Sequence, residues 1–235
     1  MKMLSLPRKH PFYALIVLLL LGCITGNAQT QNTPEQEAAY TKTILDRAYK
    51  IVANLGIQDS TLFKKVQVAV ADQYRALRDI HDPKKEVVKA IKANVTDKAQ
   101  AEDSIKKVEA ASDAQLQIQH EKYLKALNTL LSKEQVEKVK DGMTYNVLPI
   151  TYKGYQEMIL TLTEEQKKAI YAMLVEAREH AMDAESSDKK HWWFGKYKGR
   201  INNYLSGAGY DMKKEGMEWE KRRKEAAEAK QNAGK

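Results

Sequence analysis

Cysteine is almost missing from this chain of 235 residues: Cys23 is the only one. One thiol cannot form an internal disulfide, and no cysteine cluster is available to hold zinc or an iron–sulfur centre. Proline is scarce too, and beyond residue 28 only Pro34, Pro83 and Pro149 occur. Between residues 29 and 194 the only glycines are Gly56, Gly142 and Gly154. Residues that break helices are therefore sparse over most of the length, which favours long helices. No stretch alternates apolar and polar residues as a half-buried strand does. A glycine-rich phosphate loop, an HExxH pair and a Ser-His-Asp order are all absent. No apolar run reaches the ~20 residues that a membrane-spanning helix needs.

What is present begins with a leader. Lys2, Arg8 and Lys9 precede a short apolar run over residues 12–21, and Gly26-Asn27-Ala28 places small residues ahead of Gln29. This pattern reads as a secretory signal peptide over 1–28, cleaved before Gln29. The mature protein is then periplasmic or secreted. Leu20-Leu21-Gly22-Cys23 also resembles a lipobox, which would make Cys23 a lipid anchor; the site before Gln29 fits better. Residues 29–235 are expected to form a single helical domain without cysteine, fraying from about residue 230.

Charge is unevenly spread. The full chain has 39 basic and 31 acidic residues, a net +8. Without Lys2, Arg8 and Lys9 the count is 36 against 31, a net +5. Residues 188–235 carry 13 basic and 7 acidic residues, so the positive excess belongs to the C-terminal fifth. In an exported protein such a surface suits an anionic glycan or an acidic protein, and not nucleic acid.

Apolar residues recur at helical spacing, and the fold class expected is an all-α bundle of about six to seven helices. The first runs from about 34 to 55 and stops at Gly56. A second starts at an Asp59 or Ser60 cap and stops near Asp82, before Pro83. Others cover about 83–94 and 97–131. Ser132 with Gln135, and Thr163 with Gln166, form capping boxes that open two more. Pro149 argues against a helix in 143–160. The last two helices cover about 189–205 and 211–229.

The unusual stretch is HWWFGKYKGRINNYLSGAGYD, residues 191–211. At ~100° per residue, Trp193, Phe194, Tyr197, Ile201, Tyr204 and Leu205 share one arc, expected to be the buried face. Beside it lie Trp192, Lys196, Arg200 and Asn203. An indole next to an ammonium, a guanidinium and an amide is a good polyol surface, because sugar C–H faces stack on indole and carboxylates take bidentate bonds from arginine. The candidate ligand-binding set is therefore Trp192, Trp193, Lys196, Arg200, Asn203 and Tyr204. His191, at the edge, is the candidate acid or base. Gly195 and Gly199 each cost about 1 kcal/mol inside a helix; close approach of another helix is the expected compensation. Gly207 and Gly209 read as turn residues.

Glu176, His180 and Asp183 fall at i, i+4 and i+7 and would suit a divalent metal, although an ordinary charged face or salt bridges to the basic strip account for them as well. His81 and His120 lie on apolar stripes and are expected to be buried and hydrogen-bonded. No cofactor is expected.

The segment EAREHAMDAESSDKKHWWFGKYKGRINNYLSGAGYDMKKEGMEWEKR (176–222), with KIVANLGIQD (50–59) and QYRALRDIHD (73–82), resembles the secreted Bacteroidota family of unknown function number 3826. The resemblance implies an exported helical protein associated with polysaccharide use and described as sugar-binding. It brings no catalytic residues. The leading expectation is a carbohydrate-binding accessory protein whose partner is a glycan, in particular acidic plant polysaccharide fragments. Two others stand beside it. The paired boxes are similar to the LTxxQ motifs of small periplasmic chaperones, and histidine, tyrosine, lysine and arginine in 191–204 would suit a lyase or hydrolase acting on acidic glycans.

Overall fold

The computed structural model describes residues 33–233. The leader, its cleavage site and Cys23 lie outside the described residues. Eight α-helices and no strand occur among the described residues, so the all-α reading holds, with eight helices where about six to seven were expected.

Helix α1, Pro34–Val52, continues into a 3₁₀ turn, Ala53–Leu55, and stops where Gly56 takes φ 70°. Its start carries a capping box that sequence reading missed: Thr33 N–H donates to Gln36 Oε1 at 2.9 Å and Gln36 N–H to Thr33 Oγ1 at 3.3 Å. A division between two compact units falls inside α1, after Thr41. Every contact described below lies within Lys42–Lys235.

Helix α2, Ser60–Asn94, is capped by the Asp59 carboxylate, which accepts from Thr61 and Leu62 N–H. It does not stop before Pro83, which sits inside one continuous helix. Proline removes a single backbone bond at a cost of about 3 kcal/mol. Helix α3, Lys98–Leu130, packs along α2 more extensively than any other pair of helices pack together, and this pairing carries α2 through the defect.

Helix α4, Lys133–Met143, and helix α6, Glu164–Met182, open on the two predicted capping boxes, with both reciprocal bonds made in each. Between them lies helix α5, Val147–Met158, where no helix was expected. Pro149 occupies its first turn, where an N–H has no helical acceptor in any case. Gly142 lies in the last turn of α4, where a Cβ would meet Ile51 Cγ2 at 3.0 Å, so this glycine admits a close approach of α1. Helix α7, Ser187–Gly207, and helix α8, Met212–Ala233, complete the chain.

The core has two parts. Ile44, Ala48 and Val52 of α1 are buried, as are Val66, Val70 and Ala71 of α2, Leu127 of α3, and Val139 and Met143 of α4. The second cluster joins Leu148, Tyr155, Ile170, Leu174, Ala177, Phe194, Tyr197, Ile201 and Leu205 of α5, α6 and α7. Tyr210, just past α7, ties this cluster to the second box, because its hydroxyl reaches Thr161 O and Gln166 Oε1, both at 3.0 Å.

Since Thr163 caps the helix that seats α7, Thr163→Ala is expected to destabilise the fold by about 1 kcal/mol. Urea unfolding followed by circular dichroism measures this; an unchanged midpoint would contradict the capping role.

Candidate functional site

Helix α7 is held from three sides. The Ser186 hydroxyl caps its N-terminus by accepting from Lys189 N–H at 3.2 Å. Phe194, Tyr197, Ile201 and Leu205 are buried against α5 and α6, as the wheel predicted. Tyr155 of α5 donates its hydroxyl to Asn202 Oδ1 at 2.7 Å, and burial pushes that phenol up to about 12, which keeps the proton in place. At the N-terminal end Lys190 is buried and donates to Met143 O at 3.0 Å. Burial lowers its ammonium to about 8.

The opposite flank presents a ladder of rings and cations. Trp192 is 52% exposed. Its ring meets Trp193 edge-on, with centroids 5.0 Å apart. Lys196 Nζ sits 5.4 Å from the Trp192 ring and 4.7 Å from the Trp193 ring. Lys189 Nζ lies 5.6 Å from the Trp192 ring. Neither ammonium forms a salt bridge among the described residues. On the α6 side, His180 stacks on Trp193 at 4.2 Å with the rings 12° apart. Burial and then the Lys196 charge lower the imidazole pKa, which favours the neutral ring. Arg200 lies 4.9 Å from the Tyr197 ring and 4.0 Å from Glu176 Oε2.

The structure thus brings Trp192, Trp193 and Lys196 into direct contact, with Arg200 one turn farther along. Asn203 and Tyr204 are exposed on the same side. Two expectations for the buried arc need correcting. Tyr204 is 41% exposed and Trp193 only half-buried, because α6 runs beside α7 and covers its flank only in part. Gly195 and Gly199 do not admit a neighbouring helix: a Cβ on either would meet nothing within 4 Å. Gly209 is the turn glycine, at φ 97°, whereas Gly207 closes the helix.

His191 does not join the ladder. It stacks on Tyr145, with centroids 5.4 Å apart and rings within 14° of parallel. Sequence reading missed Tyr145, which lies in the turn between α4 and α5. Tyr145 and Asn146 have φ of 59° and 56°, a left-handed pair without glycine. That conformation costs on the order of 1 kcal/mol per residue. It is closed by Asn146 N–H donating to Asp141 O at 2.8 Å.

Glu176, His180 and Asp183 do not converge on a metal position. Glu176 faces Arg200, His180 faces Trp193, and Asp183 turns inward. Among the described residues no group of three or more His, Cys, Asp or Glu side chains is placed to hold a metal ion. Each member instead meets a partner on another helix, because residues spread over two helical turns are separated by what packs against them.

Asp183, the C-cap of α6, is the centre of a polar network. Its Oδ2 lies 2.7 Å from His120 Nδ1 of α3, its Oδ1 accepts from Gln73 Nε2 of α2 at 3.4 Å, and its carbonyl lies 2.7 Å from His81 Nε2. His120 Nε2 is 3.4 Å from Glu179, which also accepts from Lys140 of α4 at 3.1 Å. Buried Arg178 reaches Asp141 at 2.7 Å and also pairs with Glu137. The hydrogen bonds that His120 donates to Asp183 and then to Glu179 outweigh burial and raise its imidazole to about 9. Burial alone would raise Glu179, but His120, Lys140 and Arg178 together hold it at about 2.

A raised histidine stabilises the fold fully below its unfolded pKa of 6.5 and loses that effect as pH climbs through about 9. A depressed glutamate stabilises above 4.5 and loses its effect as pH falls through about 2. Lys190 runs the other way, gaining between about 8 and 10.5 as its ammonium deprotonates. The stability difference between the native chain and His120→Gln cancels the Lys190 contribution. It is expected to be largest between pH 4.5 and 6.5 and to shrink toward pH 9. Urea denaturation at a series of pH values measures it, and a difference independent of pH would contradict the His120–Asp183 pairing.

No curated protein matches the chain. A family model described as "Protein of unknown function (DUF3826)" matches residues 41–225, from the middle of α1 into α8. That span takes in the ladder, the Tyr145–His191 stack and the Asp183 network, and on it this chain belongs to the DUF3826 family.

Proposed function

We propose that this protein binds an acidic carbohydrate on the outer flank of α7, as an exported accessory to polysaccharide use. One observation carries the reading: a half-exposed indole, Trp192, is flanked by two ammonium groups that form no salt bridge among the described residues. An aromatic face takes the C–H face of a pyranose, and the ammonium groups over the Trp192 ring take the carboxylate of that sugar. Arg200 adds a guanidinium on the same side, loosely paired with Glu176. The half-buried Trp193 and the stacked His180 hold the indole edge from below. A planar ring with two ammonium groups over it favours a uronic acid over a neutral hexose. The C-terminal positive excess supports an anionic ligand and speeds its capture.

The other two readings draw less from the geometry. Both LTxxQ-like boxes are engaged in helix capping, which accounts for them without a chaperone role. His191, the candidate acid or base of a lyase, stacks on a tyrosine ring.

Titration calorimetry with plant oligosaccharides of matched length tests the proposal. Acidic oligomers are expected to bind and neutral ones to bind at least tenfold more weakly, a difference of about 1.4 kcal/mol. Trp192→Ala should remove binding. Joint replacement of Lys189 and Lys196 by alanine should remove the preference for acid. Absence of binding, or binding unchanged by both sets of substitutions, refutes the proposal.

A further inference from the structure

The outer face of α7 has a second aromatic edge. At ~100° per residue, His191 and Trp192 bracket Gly195 and Gly199. His191 with Tyr145 forms one edge, Trp192 with Lys196 the other, and both edges are exposed. Tyr145 is 49% exposed, yet its ring lies nearly parallel to His191 on a backbone that tyrosine rarely adopts. Among the described residues none covers the stack, and His191 is exposed as well. Between the two edges a Cβ on Gly195 or Gly199 would meet nothing within 4 Å, so the bare backbone there serves no helix packing. Asn202 lies on the same side, its carbonyl oxygen fixed by Tyr155.

We infer that the Tyr145–His191 stack is a second saccharide subsite, which takes another ring of the same acidic oligosaccharide that rests on Trp192, with Gly195 and Gly199 leaving room for the linkage between them. This inference rests on the proposed function of the α7 flank and extends it to a ligand of several rings. Three features support it. A near-parallel tyrosine–imidazole pair with centroids 5.4 Å apart offers exposed ring surface with a hydroxyl and ring nitrogens at its rim, the chemistry that pyranose rings recognise. A helix with its side chains is about 10–12 Å across, on the scale of a short oligosaccharide. Asn146, beside Tyr145, is exposed and its side chain makes no capping bond, which leaves an amide without a helix-capping role at this edge.

The experiment is a length series of oligogalacturonides, from one to six residues, titrated into the native protein and into Tyr145→Asn, His191→Ala and the double variant Gly195→Ala with Gly199→Ala. Asparagine tolerates the left-handed backbone, so Tyr145→Asn removes the ring without adding strain. Native affinity is expected to climb with length. Tyr145→Asn and His191→Ala should flatten that climb by about tenfold at the longest oligomers and leave the shortest ligand that binds unaffected. The glycine variant should melt about 2–4 °C higher for each alanine, since helix propensity improves in open space, and should still lose affinity for the long oligomers. If the native protein binds but the length dependence is the same in Tyr145→Asn, or if the glycine variant binds all lengths normally, the second subsite is wrong and the first stands. If Tyr145→Asn also weakens the shortest ligand, the stack is not a separate subsite. If no length binds the native protein, both readings fall.

Discussion

The carboxylate of Asp183 is the interaction on which the site depends. It stands where α6 ends, four residues before α7 begins, and it is the meeting point of His120 from α3 and Gln73 from α2, while its carbonyl meets His81. Two helices distant in sequence, α2 and α3, thus converge on the residue that ends α6 just ahead of α7. Lys190 secures the first turn of α7 from the same side through the Met143 carbonyl. Burying so many charges is tolerable only when each is paired. His120, Glu179, Lys140, Arg178 and Asp141 meet that condition through one another. The ladder on the outer flank therefore stands on a rigid base, and little ordering cost remains when a ligand arrives.

The two sides of α7 divide the work. Phe194, Tyr197, Ile201 and Leu205 face inward and are fully committed to packing. Trp192, Lys196 and Arg200 face outward and contribute little to the core. Between these sides, His180 and Trp193 make a stacked joint that carries the order of α6 into the ladder. Glycines show the same division. Gly142 is required by a neighbour, Ile51, at 3.0 Å, whereas Gly195 and Gly199 face open space. A helix that gives up about 1 kcal/mol at each of two positions with no packing gain leaves that surface bare, as the proposed saccharide site requires.

Much of this was legible in the sequence because it is local. Caps at Asp59, Ser132 and Thr163 act within three residues, and all three form. The inward arc of α7 follows from 3.6-residue periodicity. What escaped reading is tertiary. Pro83 stays within α2 because α3 packs along it, and Pro149 is harmless because it falls in a first turn. Glu176, His180 and Asp183 share a helix face, but three different partners draw them apart. Tyr145 carries no motif, and only the fold brings it to His191, 46 positions away in sequence.

The chain has three tryptophans, two in the ladder and one, Trp219, in α8, where Arg223 lies 5.1 Å from its ring. Their indole N–H resonances are resolvable by nitrogen-15 NMR, so one titration reports on all three. With an acidic oligosaccharide added, the account predicts that the Trp192 and Trp193 signals move together with increasing ligand while the Trp219 signal stays in place. Movement confined to Trp219, or no movement at all, would contradict it.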